Sequence, residues 1–142
     1  TTEVSAAEIA DARVQANGQT ATSLGNAIRW VYNALLAEEH ATYTEFDGGV
    51  VSDGALTVTQ RPGLCFITGN ITLSKSIADW KTILSSSKVP APQHGRLVPF
   101  EASQWGTSYA RTLRGKITPD GELQIVYGVA GNYVINVCYP IE

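Results

Sequence analysis

The chain has 142 residues, of which 44% are hydrophobic and only 16% charged, with a formal net charge of −3. That length holds one ordinary core, or a small head with an appendage, and the charge supplies no basic field for nucleic acid or an anionic membrane surface. A charged fraction below the roughly 25% usual for globular domains fits a chain that hides surface against copies of itself.

No Met is present and the chain opens "TTEVSAAEIA", so a fragment lacking its upstream part is expected. No run nears the roughly 20 apolar residues of a spanning helix, and no n-region, h-region and cleavage site stand at the start. Neither nucleic acid nor a membrane is an expected partner. Cys65 and Cys138 sit in apolar strand-like runs, "GLCFI" and "NVCYP". Two buried free thiols are expected there, though spacing leaves a disulfide open. His40 and His94 are too far apart in the chain to draw a zinc pattern. Neither a metal nor a cofactor is expected.

Residues 1–19 are small and polar, with "NGQ" as a turn signal, and read as an extended linker. In "TSLGNAIRWVYNALLAEEH", Leu24, Ile28, Val31 and Leu35 fall at steps of four, three and four, the a/d stripe of a two-heptad helix over 23–37. Ser23 is placed to cap it. Gly25 costs about 1 kcal/mol inside a helix, so packing rather than propensity has to hold this one, and about fifteen residues are marginal alone in water. The helix therefore packs either on its own domain's core or in a short parallel bundle of symmetry mates. Trp30 and Leu36 widen the stripe beyond the needs of two strands, which favours a homotrimer with Leu24, Ile28, Val31 and Leu35 at the interface.

From Thr42 the period changes. "VVSDGALTVTQRPG" alternates apolar and polar residues up to Pro62-Gly63, and "LCFITGNITLS" follows as a strand pair or bent strand broken at Gly69-Asn70. Ser76 and Asp79 resemble a capping box, and Ile77, Trp80 and Leu84 share a helical face, so one or two helical turns are expected in "SIADWKTIL". "VPAPQHGRLVP" reads as an irregular connection. In "RTLRGKITPDGELQIVYG" the turn Pro119-Asp120-Gly121 joins strands 111–118 and 122–127 as a hairpin, and "GVAGN" leads into a closing strand, 133–139. The prediction is a mainly β protein: a linker and trimerising α-helix (1–40), then an antiparallel sandwich or barrel head (41–142). The last residues, "NVCYPIE", read as a strand carried almost to the terminus, which requires something to clamp it.

Catalytic signatures are lacking. "SSS" at Ser85–Ser87 has neither a nucleophile-elbow frame nor a His partner, no Gly-rich phosphate loop occurs, and Asp47, Asp53 and Asp120 sit beside glycines, where Asp serves turns. No enzyme is expected. "EASQWGTSYARTLRG" differs from the rest of the chain. Trp105 and Tyr109 stand in a polar loop followed by Arg111 and Arg114, with Glu101 and His94 ahead of it as hydrogen-bond partners. Aromatic faces stack on sugar rings while Arg, Glu and hydroxyls fork to the ring oxygens. The alternative is that Trp105 plugs the end of the sandwich.

Two segments carry a family likeness. "ADARVQANGQTATSLGNAI" resembles the linker-and-helix segment of baseplate and tail proteins of phages infecting Gram-positive bacteria. "KVPAP", "ITPDGELQI" and the terminal "YPIE" resemble the trimeric head of phage receptor-binding proteins and tail fibres. The likeness implies a homotrimer at the distal tail or baseplate of a virion that binds a host cell-wall saccharide without catalysis. Trp105, Tyr109 and Arg111 then carry the aromatic and Arg character of its site, and the "EVSAAEIADARV" segment joins other tail or baseplate proteins. A purely structural trimeric baseplate or fibre component is the alternative, and a bacterial surface lectin a third.

Overall fold

A computed structural model of the chain describes residues 23–105 and 111–142, which fall in two units divided after Ala37. In the first, helix α1 spans Leu24–Leu36. Ser23 is the cap: its backbone is extended and its Oγ accepts from the Asn26 N–H at 3.2 Å, filling one of the orphan donors of the first turn. Leu24, Ile28 and Val31 are 43%, 61% and 61% exposed, and Tyr32 and Leu36 are exposed as well. These described members of the apolar stripe are therefore exposed. The side chain of Leu35 lies outside the described residues, as does the expected linker 1–19.

The second unit is one antiparallel sheet of eight strands among the described residues: β1 (Glu39–Tyr43), β2 (Val51–Arg61), β3 (Leu64–Leu73), β4 (Lys81–Leu84), β5 (Val98–Gln104), β6 (Thr112–Ile117), β7 (Leu123–Val126) and β8 (Gly131–Pro140). Their spatial order is β1-β2-β3-β8-β5-β6-β7-β4. The sheet curls into a half-barrel, so the mainly β head is one curled sheet and not two stacked ones. Alternation sorts the faces. On β8, Tyr133, Ile135, Val137 and Tyr139 point inward while their neighbours face out. They meet Cys65, Ile67, Ile71 and Leu73 of β3, Leu56 and Val58 of β2, and Leu113, Ile117, Leu123 and Ile125 of the β6–β7 hairpin in one core. Each fully buried Leu, Ile or Val contributes about 1.5–3 kcal/mol relative to exposure.

The closing strand is held by its own chain. β8 pairs with β3 over ten positions, from Leu64 opposite Pro140 to Leu73 opposite Gly131. The Ile141 N–H donates to the Gly63 carbonyl at 3.1 Å, and the Tyr139 hydroxyl donates to the Pro90 carbonyl at 2.8 Å. The hairpin at Pro119–Gly121 forms as predicted, with Gly121 at φ +93 and its N–H donating to the Thr118 carbonyl at 2.9 Å.

Three expectations need correction. No helical turn forms in 76–84; Lys81–Leu84 is strand β4, with Lys81 opposite Ile125 and Thr82 opposite Gln124. Strand pairing there outweighs the local capping pattern. β3 is not broken at Gly69-Asn70. Gly69 carries the strand through at φ +145, because a Cβ there would run into the Ala55 carbonyl oxygen. Both cysteines are free, but only Cys65 is buried; Cys138 is exposed, one step out of phase with the inward Tyr139.

The connection from β1 to β2 crosses to the far edge of the sheet. The Asp47 N–H donates to the Ile83 carbonyl of β4 at 3.0 Å, and Gly48 sits at φ +82, where a Cβ would come within 3.0 Å of the Thr82 carbonyl oxygen.

Candidate functional site

Trp105 follows β5 directly. Its N–H donates to the Asn132 carbonyl at 2.9 Å, extending the contact in which Ser103 and Gln104 lie opposite Val134 and Tyr133. The indole is 65% exposed, so Trp105 does not plug the core. It borders a cleft of about 230 Å³ with Asp53, Gly54, Asn70, Thr72, Asn132, Tyr133 and Val134.

Register explains this company. Asp53 lies opposite Thr72 and Thr72 opposite Asn132, while Asn70 lies opposite Val134. Successive strands therefore deliver amides, a hydroxyl and a carboxylate to one patch of the sheet. Thr72 Oγ1 donates to Asn132 Oδ1 at 2.5 Å, and Asp53 Oδ1 accepts the Gly54 N–H at 2.8 Å. These bonds orient Asp53, Thr72 and Asn132, and with Asn70 they give the cleft wall carboxylate, hydroxyl and amide groups of the kind that bind a polar guest. The bulge between Val51 and Asp53 and the positive φ of Gly54 reshape β2 beside the cleft.

The other predicted residues scatter. Glu101 projects from β5 opposite Arg114, into a separate groove of about 480 Å³ with Trp80, Leu97, Pro99, Phe100, Gly115 and Lys116. There the Lys116 ammonium lies 4.1 Å from the centroid of the Trp80 ring. Gly115 is required: any Cβ would collide with the Phe100 ring. His94 sits in a 3₁₀ turn, Gln93–Gly95, at φ +60 and exposed, and lines neither cleft. Arg111 is exposed and lines neither; its carbonyl accepts the Gln104 N–H at 2.7 Å. Tyr109 lies outside the described residues. Asp53, Asn70, Thr72 and Asn132 escaped the sequence reading because "SDG", "TGN" and "AGN" look like turns. Their place on adjacent strands depends on long-range register, which no local pattern encodes.

Cys65 and Tyr139 titrate above their ordinary ranges, and both are core groups. Burial pushes the Cys65 thiol up. Burial also raises the Tyr139 phenol, with the neighbouring thiol adding to the effect. The buried Tyr133 hydroxyl is satisfied twice by Val129, donating to its carbonyl at 2.9 Å and accepting from its N–H at 3.2 Å. Among the described residues no buried side-chain nitrogen or oxygen lacks a partner, and no three His, Cys, Asp or Glu side chains gather as a metal-binding set. No described helix is long and apolar enough to cross a membrane. No protein-family model matches this sequence, and no curated protein is significantly similar to it.

Proposed function

We propose that the chain is the head of a phage or prophage receptor-binding protein, attaching a virion to a host cell-wall saccharide as a non-catalytic homotrimer. The observation that carries the reading is the exposed Trp105 indole beside the Asp53, Asn70, Thr72 and Asn132 cleft. A flat aromatic face next to fixed carboxylate and amide groups matches a sugar ring, which has an apolar face and a rim of hydroxyls. The size of the cleft suits one ring, since it falls below the roughly 300–1,000 Å³ of sites for larger ligands. One such ring binds weakly, in the millimolar to micromolar range of about 4–8 kcal/mol. Three heads about one axis raise the avidity without new contacts. The exposed Leu24, Ile28 and Val31 of α1 support assembly through that helix, since burying them against symmetry mates recovers hydrophobic free energy.

The test is binding to purified host cell walls and to a glycan array. The parent chain should bind and Trp105→Ala should not, while the trimer mass and the melting temperature stay within error of the parent. Loss of folding in Trp105→Ala would make the indole structural. A parent chain that binds no cell wall would favour the alternative of a purely structural trimeric baseplate or fibre component.

A further inference from the structure

The groove between Trp80 and the β5–β6 pair holds chemistry of a different kind. Arg114 and Lys116 alternate onto the same face of β6, about 7 Å apart along the strand. Glu101 stands directly opposite Arg114, yet neither enters an ion pair among the described residues. Trp80 and Leu97, 42% and 52% exposed, form apolar walls. The charged lining carries two cations against one carboxylate in a chain whose net charge is −3. A positive pocket on an acidic protein favours an anion, and its apolar walls favour one attached to a ring.

We infer that this groove is a second saccharide subsite, selective for an acidic sugar bearing a carboxylate. The carboxylate lies between Arg114 and Lys116, Glu101 accepts from ring hydroxyls, and the apolar face of the sugar packs on Leu97 and Pro99 beside Trp80. A guanidinium and an ammonium give charge-assisted bonds that a neutral sugar does not receive. Lys116, held over the Trp80 ring, is partly oriented before the ligand arrives. The inference rests on the head being a saccharide binder and adds charge selectivity to it, at a site separate from the Trp105 cleft.

The experiment titrates galacturonate and galactose, which differ in carrying a carboxylate or a hydroxymethyl group, into the parent chain, Arg114→Gln and Trp105→Ala. Affinity is read by ligand-observed NMR, and the site by the indole N–H resonance of Trp80, assigned with Trp80→Phe. Galacturonate should bind the parent about tenfold more tightly than galactose, which is about 1.4 kcal/mol, shift the Trp80 resonance, and lose its advantage as salt is added. Arg114→Gln, exposed in the parent, should erase the preference at unchanged melting temperature, and Trp105→Ala should keep it. Equal affinity for the two sugars, or a preference that survives Arg114→Gln, overturns the inference. If the preference vanishes only in Trp105→Ala, the acid is read in the other cleft and this subsite is refuted. A neutral glycan still held through Trp105 while galacturonate shows no preference would remove the subsite and leave the reading of the head intact.

Discussion

Gly121→Ala perturbs a point where three parts of the head meet. The residue turns the β6–β7 hairpin at φ +93, and a Cβ there would lie 2.6 Å from the Val89 carbonyl oxygen and 3.0 Å from the Ala91 nitrogen. Both neighbours are backbone, so neither can rotate away. Holding a non-glycine residue at positive φ costs about 1–3 kcal/mol, and overpacking against fixed atoms adds roughly 1–3 kcal/mol more. The sum is about 2–6 kcal/mol, a large part of the roughly 5–15 kcal/mol typical of a domain. The Val89–Ala91 segment is also gripped from its other neighbour, since Tyr139 donates to the Pro90 carbonyl. Displacing the segment should loosen that bond too, so Gly121→Ala and Tyr139→Phe should be less than additive in a double-mutant cycle. Calorimetric melting of the head is the assay. A domain of this size loses roughly 4–8 °C per kcal/mol, so the single variant should melt at least about 8 °C lower. A variant that melts with the parent would show that the turn relaxes freely and that the close approach carries no energy.

Ile28→Asp places a charge in the exposed stripe of α1; light scattering should show a trimer for the parent and a smaller species for the variant, with the head still melting normally. An unchanged mass, or a monomeric parent at micromolar concentration, would remove α1 from the assembly. Alkaline pH should weaken the head. The Cys65 thiol and Tyr139 phenol are raised above their ordinary values of 9.0 and 10.0, so the unfolded chain releases those protons first. Stability is then full below about pH 9 and falls above it, at up to about 1.4 kcal/mol per pH unit for each group. Melting curves of Cys65→Ala should show a shallower fall between pH 9 and pH 10, and an identical slope would exclude the thiol as a cause.

What the sequence disclosed was local. Ser23, the 24–28–31 spacing and the Pro119-Asp120-Gly121 turn each act within a few residues, and each element stands where they put it. Segment 76–84 shows the limit. Its Ser, Asp and spaced apolar residues carry a weak helical pattern, but the ladder to β7 wins because it adds backbone bonds and buries Ile83 and Leu84 together. Gly69 is subtler. The same residue that ends a strand in a turn continues one where a partner carbonyl occupies the place of its side chain. The candidate site was legible only at Trp105. Glu101 reaches a different groove because β5 alternation sets it opposite Arg114, and the partners of Trp105 come from β2, β3 and β8, distant in sequence.

The strap from β1 to β2 has a consequence for crowding. An open eight-stranded sheet offers two raw margins on which an unrelated strand can template itself, the usual start of runaway polymerisation. Asp47 and Gly48 lie along the β4 margin, using the Ile83 carbonyl and passing close to the Thr82 carbonyl. The other margin, β1, is five residues long and begins with Glu39 and His40. One border is partly occupied by the chain itself and the other is short and polar, and both features disfavour edge-to-edge zipping when copies of this head are packed densely.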